Sequence, residues 1–287
     1  MQTRTMRRLC ALSTTWWLAW GLCGAAAATE SESARWHQRL RDGRLTASTG
    51  SYFATGDYGR SDDTEFWYVP FELRYDVFPF SARVTVPYLR MDGPMNVVGP
   101  LGGGPVGEED GAEVRSRQGL GDVMASLSYT YARSASWLPA IRFTGKVKFG
   151  TADRDEGLGT GENDFILETD LSKRFGRFTP FGALGYRFVG DPPGLDLRDA
   201  WLARTGLNYR VRDHLESGLI YSWRQASSRT SGDSHVLMPY ASWRLGKRFS
   251  VMPYSLVGLS TNSPDFGAGL QLSVVLSGSG VGILQGE

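Results

Sequence analysis

The chain has little cysteine and little histidine. Both cysteines, Cys10 and Cys23, fall within residues 1–28, and the whole sequence of 287 residues holds only three histidines. We interpret residues 1–28 as a secretory signal peptide that is cleaved, so the mature chain is expected to have no thiol. A disulfide framework, a cysteine–zinc site and a thiol nucleophile are then excluded.

Long apolar runs are also missing, apart from the one in the leader. There, Arg4, Arg7 and Arg8 precede an apolar core at 9–23, and alanines follow at 25–28. A basic start, a short apolar core and small residues are typical of a signal peptide, and the core is too short for a stable membrane-spanning helix. The remaining chain has no segment long enough for such a helix, which excludes a helical membrane protein.

An excess of charge of one sign is absent as well. The three leader arginines, removed from a total of 31 basic residues, leave 28 against 30 acidic residues. A nucleic-acid partner would need a clustered basic surface, and the sequence has none. We therefore expect no nucleic-acid partner.

What the sequence does have is a strict alternation of apolar and charged residues. Phe143 and Val147 lie in one phase and Lys146 in the other; after a glycine-rich loop, Leu167 and Glu168 continue the alternation. A period of two residues belongs to a β-strand. Strands of this kind put charged side chains inside a barrel and apolar side chains outside, which is the arrangement of a transmembrane β-barrel.

The alternation recurs along the chain. Long, glycine-rich links, the longest at 91–119, alternate with very short ones, as in outer-membrane barrels with long outer loops and short periplasmic turns. We therefore predict an all-β protein: a transmembrane antiparallel up-and-down β-barrel of about 12 strands at 44–277. A periplasmic N-terminal segment at 29–43 precedes it and a C-terminal tail at 278–287 follows. One run, 248–259, shows no clear phase.

Five tryptophans fit this orientation. Trp67, Trp201 and Trp223 are expected at the outer rim, and Trp137 and Trp243 at the inner rim. Amphipathic rings at the level of the lipid headgroups form the two aromatic girdles of an outer-membrane barrel, whereas the core of a soluble fold would scatter them along the strands. We therefore predict contact with outer-membrane lipid and a location in the cell outer membrane.

Charged side chains in the inward phase are the candidate functional residues. They could line a polar route for a solute, or they could pair with one another and fill the interior; the sequence fixes the face but not the free width. Lys146 and Lys148, for example, could pair with Glu168 and Asp170 across neighbouring strands. The predicted lumen-lining residues are Glu72, Arg74, Arg83, Arg142, Lys146, Lys148, Glu168, Asp170, Arg187, Arg204 and Arg224.

Four segments resemble a known family. They are Arg83-Val84-Thr85-Val86-Pro87-Tyr88, Gly119-Leu120-Gly121-Asp122, Lys146-Val147-Lys148-Phe149-Gly150-Thr151, and Gly157-Leu158-Gly159-Thr160-Gly161 followed by Asp164. Together they look like the signature of the outer-membrane, transporter-like family named for the meta-cleavage pathway of phenol degradation. The resemblance implies a barrel associated with the uptake of small organic compounds. Such a barrel is expected to be a client of the outer-membrane insertion machinery.

An enzyme is a remote alternative. A hydrolase resembling outer-membrane phospholipase A would need a histidine that activates a serine at the lipid-facing rim, and only His235, beside Ser234, lies at such an edge. The GxGxxG that begins at Gly102 lacks the strand and helix that a dinucleotide site needs, and the acidic loop around Asp153 matches no calcium loop. We predict no catalytic residue, no cofactor and no metal site.

These observations predict a channel or transporter for the passive passage of small organic compounds. The expectation that these compounds are hydrophobic or aromatic comes from the family resemblance alone. A structural outer-membrane barrel without transport is the first alternative, and a lipid hydrolase is the second.

Overall fold

The structure, a computed structural model, describes residues 43–58, 62–93, 115–131, 138–192, 196–228 and 231–278, together with the backbone of 95–97 and 105–107. The predicted signal peptide, the N-terminal segment up to residue 42 and the tail beyond residue 278 lie outside the described residues. Within the described part, no helix is long and apolar enough to cross a membrane. The strands are β1 (Arg44–Gly56), β2 (Thr64–Val77), β3 (Phe80–Gly93), β4 (Met95–Val97), β5 (Pro105–Gly107), β6 (Arg115–Leu120), β7 (Met124–Tyr131), β8 (Ala140–Lys148), β9 (Asp164–Ser172), β10 (Phe178–Phe188), β11 (Ala200–Arg212), β12 (Leu215–Arg224), β13 (Ser234–Leu245), β14 (Phe249–Gly258) and β15 (Phe266–Ser277).

The main sheet closes on itself. Each strand pairs antiparallel with its neighbour in the chain, and β1 completes the circle by pairing with β15, for example at Ser48 and Ser273, whose Oγ atoms lie 2.9 Å apart. Strands β6 and β7 both pair with β3, so together they occupy one strand position of the barrel, with an interruption between them. The predicted antiparallel barrel of twelve strands is confirmed.

The longest link is shorter than the sequence suggested. The glycine-rich stretch at 91–119 was predicted as loop, but β3 continues to Gly93 and β6 begins at Arg115. These two segments pair with each other, from Gly93 opposite Arg115 to Tyr88 opposite Leu120. Backbone pairing therefore extends the barrel wall into a region whose composition alone favours a loop.

Apolar side chains cover the outside of the barrel. Leu167 is 61% exposed and its neighbour Glu168 is 8% exposed. Phe71 on β2 and Phe143 on β8 also lie on the outer face, where they are 54% and 50% exposed. A soluble protein rarely exposes so many large apolar side chains together, whereas a barrel surrounded by lipid requires them.

The two ends of the barrel differ in their links. At one end, tight turns join β2 to β3, β9 to β10, β11 to β12 and β13 to β14; we call this the tight-turn end. Gly176 and Gly246 lie in two of these turns with positive φ angles of 59° and 72°, which glycine adopts without strain. The other end carries the links at 149–163, 189–199, 225–233 and 259–265, and we call it the long-loop end.

Candidate functional site

The barrel encloses a cavity of about 380 Å³. Its lining includes six cationic and three acidic side chains, so positive charge predominates. Aromatic and aliphatic side chains form another part of the lining, among them Tyr68, Tyr254 and Ile166. The charged residues that line the cavity are Glu72, Arg83, Lys146, Lys148, Asp164, Glu168, Arg187, Arg204 and Arg224.

Glu168 is the centre of one group of ion pairs. Its Oε2 lies 3.2 Å from Nζ of Lys146, and its Oε1 lies 2.5 Å from Nη2 of Arg204. Asp170 lies 3.4 Å from the same Arg204 nitrogen. On the other side of the lumen, Nη1 of Arg83 lies 3.5 Å from Oε2 of Glu72. These pairs compensate most of the charge in the middle of the barrel.

A second group of charges lies at the long-loop end and is almost completely buried. Lys148, whose side chain is 4% exposed, donates hydrogen bonds to Oδ2 of Asp122 at 2.8 Å and to Oγ1 of Thr160 at 3.1 Å. Asp164 accepts hydrogen bonds from Nη2 of Arg187 at 2.5 Å and from the Gly190 N–H at 2.9 Å. Burial removes water from these groups, so each charge depends on its partners here.

The loop at 149–163 folds towards this buried group instead of extending into solvent. Leu158 is 3% exposed and joins an apolar cluster with Leu89 and Met91. Oδ1 of Asp122 accepts a hydrogen bond from the Ala152 N–H at 3.0 Å, which ties the loop to the barrel wall. Gly157 and Gly161 have positive φ angles of 68° and 73°, so the glycines of this segment permit its turns.

An apolar and aromatic wall lies on the inner face of β1, β2, β3, β13 and β14. Tyr52 stacks on Tyr254 with ring centroids 6.1 Å apart, and Phe66 stacks on Tyr68 at 6.2 Å. Tyr52 and Tyr68 belong to the buried apolar cluster, and Leu256 packs in the same cluster. The alternation in the sequence does not predict this wall, because only charged residues mark the inward phase there.

The missing phase in 248–259 is a signal in the sequence that could have revealed the wall. On β14, Tyr254 and Leu256 belong to or pack against the buried cluster, whereas the neighbouring Val257 is 41% exposed on the outer face. Both faces of the strand are therefore apolar, and no contrast is left to set a period. An inward apolar residue on a barrel strand indicates a dry or solute-binding part of the lumen.

The predicted lumen residues separate into two sets. Eight of the eleven border the cavity; Arg74, Arg142 and Asp170 do not. Arg74 pairs with Asp76 at 2.7 Å, and Arg142 donates a hydrogen bond to Oγ1 of Thr130 at 3.3 Å, both near the tight-turn end. Asp122 and Asp164 are not in the predicted set, although both are among the most buried charges of the described residues.

One expected ion pair is different in the structure. Lys148 was expected to be able to reach Asp170, but the register places Lys148 opposite Asp164 and places Arg142 opposite Asp170. Lys148 consequently pairs with Asp122 and Asp164. The suggested pair of Lys146 with Glu168 is present.

The predicted girdle tryptophans fall near both ends of the strands. Trp67 and Trp201 are exposed on the outer face near the long-loop end, and Trp243 is exposed near the tight-turn end. Trp223 also borders the cavity, and its Nε1–H donates a hydrogen bond to Asp233 at 3.0 Å. Trp137 lies outside the described residues. Contact of these rings with lipid headgroups stays a prediction.

Ser234 and His235 do not form the pair that a hydrolase would need. Oγ of Ser234 lies 3.1 Å from Oγ of Ser263, whereas Nδ1 of His235 lies 2.7 Å from the Tyr221 hydroxyl. A catalytic histidine has to be within hydrogen-bond reach of the nucleophile. The two side chains instead bond to different partners.

A closed barrel with an apolar exterior and a charged and aromatic interior defines the class of transmembrane β-barrels. The chain belongs to the family described as "Putative MetA-pathway of phenol degradation", whose model matches residues 42–276. The predicted family is thereby confirmed. No curated protein sequence matches the chain.

Two solved structures share the fold. An outer membrane channel from Pseudomonas putida F1 is 15% identical, with a TM-score of 0.61 over 82% of this chain and 96% of that one. The NanC porin is 8% identical, with a TM-score of 0.50 over 81% of this chain and 99% of that one. At these identities the similarity concerns the fold alone.

Proposed function

We propose that this protein is an outer-membrane channel that gives small organic compounds a passive route through its lumen. The observation that carries the proposal is the cavity of about 380 Å³ inside the barrel. Cavities of roughly 300–1,000 Å³ accommodate small organic ligands. The fold that the chain shares with an outer membrane channel and a porin supports the same function.

We further propose that the solutes include hydrophobic or aromatic compounds. Tyr68 and Tyr254 line the cavity, and Tyr52 stacks against Tyr254. Pairs of aromatic rings contribute about 0.5–1.5 kcal/mol beyond the burial of their area, so a wall of tyrosines would favour a solute that carries a ring. A route for fully hydrated ions would have no use for this wall.

A structural barrel without transport is the second candidate. The ion pairs that Glu168 forms with Lys146 and Arg204 favour it, because paired side chains occupy space in the lumen. A filled lumen and an open route differ in one measurable property, which is the flux of a solute through the folded protein. The test therefore has to measure flux, and it needs a variant that closes the lumen.

Osmotic swelling of proteoliposomes provides this test. Vesicles that contain the protein are diluted into isosmotic methyl β-glucoside or phenyl β-glucoside, two uncharged solutes that share a sugar and differ in the ring. We expect swelling in both, and a faster rate with the phenyl compound than its larger size would predict. Folded wild-type protein that supports neither swelling nor conductance would favour the structural barrel.

Neighbouring residues on β10 supply a matched pair of variants. Ala183 lines the cavity, whereas Leu184 is 52% exposed on the outer face. Ala183→Trp fills the lumen and is expected to slow swelling several-fold, because the indole occupies the cavity. Leu184→Trp adds the same ring on the lipid side and is expected to leave the rate unchanged. Heat-dependent electrophoretic mobility verifies that both barrels are folded.

A further inference from the structure

Arg224 differs from every other cation that lines the cavity. The remaining five each have a carboxylate oxygen within 3.5 Å, supplied by Glu72, Asp122, Asp164 or Glu168. Among the described residues, Arg224 has no such partner, and its Nη1 atom is buried without any hydrogen-bond acceptor. The positive charge of the cavity is therefore uncompensated at one identifiable side chain.

None of the acidic side chains that the structure describes forms an ion pair with Arg224. Arg187, which is 6% exposed, lies close enough to interact unfavourably with it, and the Nη1 atom of Arg224 is itself buried. Asp164 lies at this end of the barrel, but its oxygens already accept hydrogen bonds from Arg187 and the Gly190 N–H, and Lys148 lies 3.4 Å away. Asp265 interacts with Tyr58, the tyrosine beside Arg224. A buried cation without a counter-charge is costly, so the site favours an anion brought from outside.

Tyr58, in the link that follows β1, interacts with Arg224 but does not neutralise it. Its side chain is buried, and burial raises the pKa of the phenol above its ordinary value, with the Arg224 charge acting in the opposite direction. The phenol is therefore neutral at ordinary pH. It can contribute a dipole near Arg224 but no negative charge.

The same cavity offers an aromatic surface. Tyr68 and Tyr254 line it together with Arg224, and the latter tyrosine is held in place by stacking on Tyr52. A guanidinium binds a carboxylate through two parallel hydrogen bonds, and tyrosine rings favour contact with another ring. One small molecule that carries both groups satisfies both parts of the lining.

We propose that the cavity is a selective binding site for a small aromatic carboxylate, with the carboxylate at Arg224 and the ring against Tyr254. The proposal rests on the channel function above and narrows its solute class from organic compounds in general to aromatic anions. A neutral aromatic solute would leave the Arg224 charge uncompensated, and an aromatic cation would be repelled by it. An aliphatic carboxylate would leave Tyr254 without a ring to contact.

Calorimetric titration of the full-length barrel in detergent micelles tests the proposal. Three probes are used. Benzoate carries an aromatic ring and a carboxylate, benzyl alcohol carries the ring alone, and acetate carries the carboxylate alone. A charge-assisted hydrogen bond contributes about 1.5–3 kcal/mol, so we expect benzoate to bind at least roughly tenfold more tightly than benzyl alcohol. Acetate is expected to bind most weakly. Benzoate that binds no more tightly than benzyl alcohol overturns the proposal.

Two arginine variants separate a specific site from a general positive field. Arg224→Met removes the uncompensated charge, and it is expected to weaken benzoate binding by roughly tenfold or more while leaving benzyl alcohol binding unchanged. Arg74→Met removes the same amount of charge near the tight-turn end of the barrel, but Arg74 does not border the cavity and already pairs with Asp76. It is expected to leave benzoate binding close to wild type. Equal losses in the two variants would overturn the assignment to Arg224.

A third variant keeps the test decisive if Arg224→Met does not fold. Arg224→Lys retains the charge but loses the planar two-point geometry, so benzoate binding is expected to lie between wild type and complete loss. Wild-type affinity in this variant contradicts the two-point contact.

Failure here is distinguishable from failure of the channel function. Swelling in the uncharged glucosides, together with its loss in Ala183→Trp, tests the route without any carboxylate. If swelling holds and benzoate shows no preference, the aromatic-anion site alone is wrong. If benzoate binds as expected and no solute passes, the site is supported and the channel is wrong.

Discussion

Lys148 and Asp122 form a buried ion pair of 2.8 Å although they lie 26 residues apart in the chain. Replacing Lys148 by Met would leave Asp122 and Asp164 buried without this cation. Breaking a buried ion pair costs about 3–5 kcal/mol, and we expect a loss of this size in the free energy of unfolding. Denaturant titration of the barrel in lipid vesicles, followed by tryptophan fluorescence, measures it.

Lys146→Met is the matched control on the same strand. Lys146 is more exposed than Lys148, and its partner Glu168 keeps Arg204 at 2.5 Å when the lysine is removed. Partly exposed ion pairs contribute about 0–1 kcal/mol, so little stability should be lost. If Lys148→Met and Lys146→Met lost the same free energy of unfolding, the buried group of charges around Lys148 would not be what holds the loop at 149–163 against the barrel.

Gly159 is a position in that loop where a side chain has little room. A Cβ atom there would lie 2.7 Å from Cβ of Ala152 and 2.9 Å from Oδ1 of Asp122. Gly159→Ala is therefore expected to displace the loop, at a cost of about 1–3 kcal/mol. Limited proteolysis should cleave the loop faster than in wild type.

Gly145→Ala provides the comparison for this variant. A Cβ atom at Gly145 would meet nothing within 4 Å. Surface changes of this kind usually alter stability by less than about 0.5 kcal/mol, so proteolysis should proceed at the wild-type rate. If the loop of Gly159→Ala were cleaved no faster than the wild-type loop, the loop would tolerate the added methyl group.

The sequence was sufficient to predict which way each strand faces wherever one phase is charged and the other apolar. Leu167 and Glu168 are such a case, and the structure places them on opposite sides of the wall. The reason is that lipid and the lumen impose opposite demands on side chains one residue apart. The number of strands followed from the same alternation and from the regular change between long and short links.

Contacts between distant segments could not be predicted in this way. Asp122 reaches Lys148 because pairing with β3 is interrupted between β6 and β7. At this interruption the Val123 N–H donates a hydrogen bond to Oγ1 of Thr151 instead of to a strand partner. Tyr254 lies on a strand whose two faces are both apolar, so its inward direction depends on the neighbours that it packs against. Neither fact is encoded in a period of two.

Single cysteines at Lys146 and Leu167 test the direction of the wall. The two residues lie at almost the same depth on paired strands, since Gly145 is opposite Leu167 and Lys146 is opposite Ile166. With Cys10 and Cys23 replaced by serine, Lys146→Cys should react with a charged, water-soluble thiol reagent and resist a lipid-soluble one. Leu167→Cys should show the reverse. The same reactivity at both positions would contradict the separation of lumen from lipid.

Tyr254→Leu tests whether the luminal tyrosines favour a ring. Leucine keeps an apolar side chain but removes the ring that lines the cavity, so swelling in phenyl β-glucoside should slow relative to swelling in methyl β-glucoside. The rate for the methyl compound should not fall, because the variant widens the lumen. Tyr88→Leu removes a tyrosine from the outer face of β3 and should leave the ratio of the two rates unchanged. If both variants left the ratio at its wild-type value, the tyrosine wall would serve only the packing of the barrel, and selection among solutes would depend on the charged side chains alone.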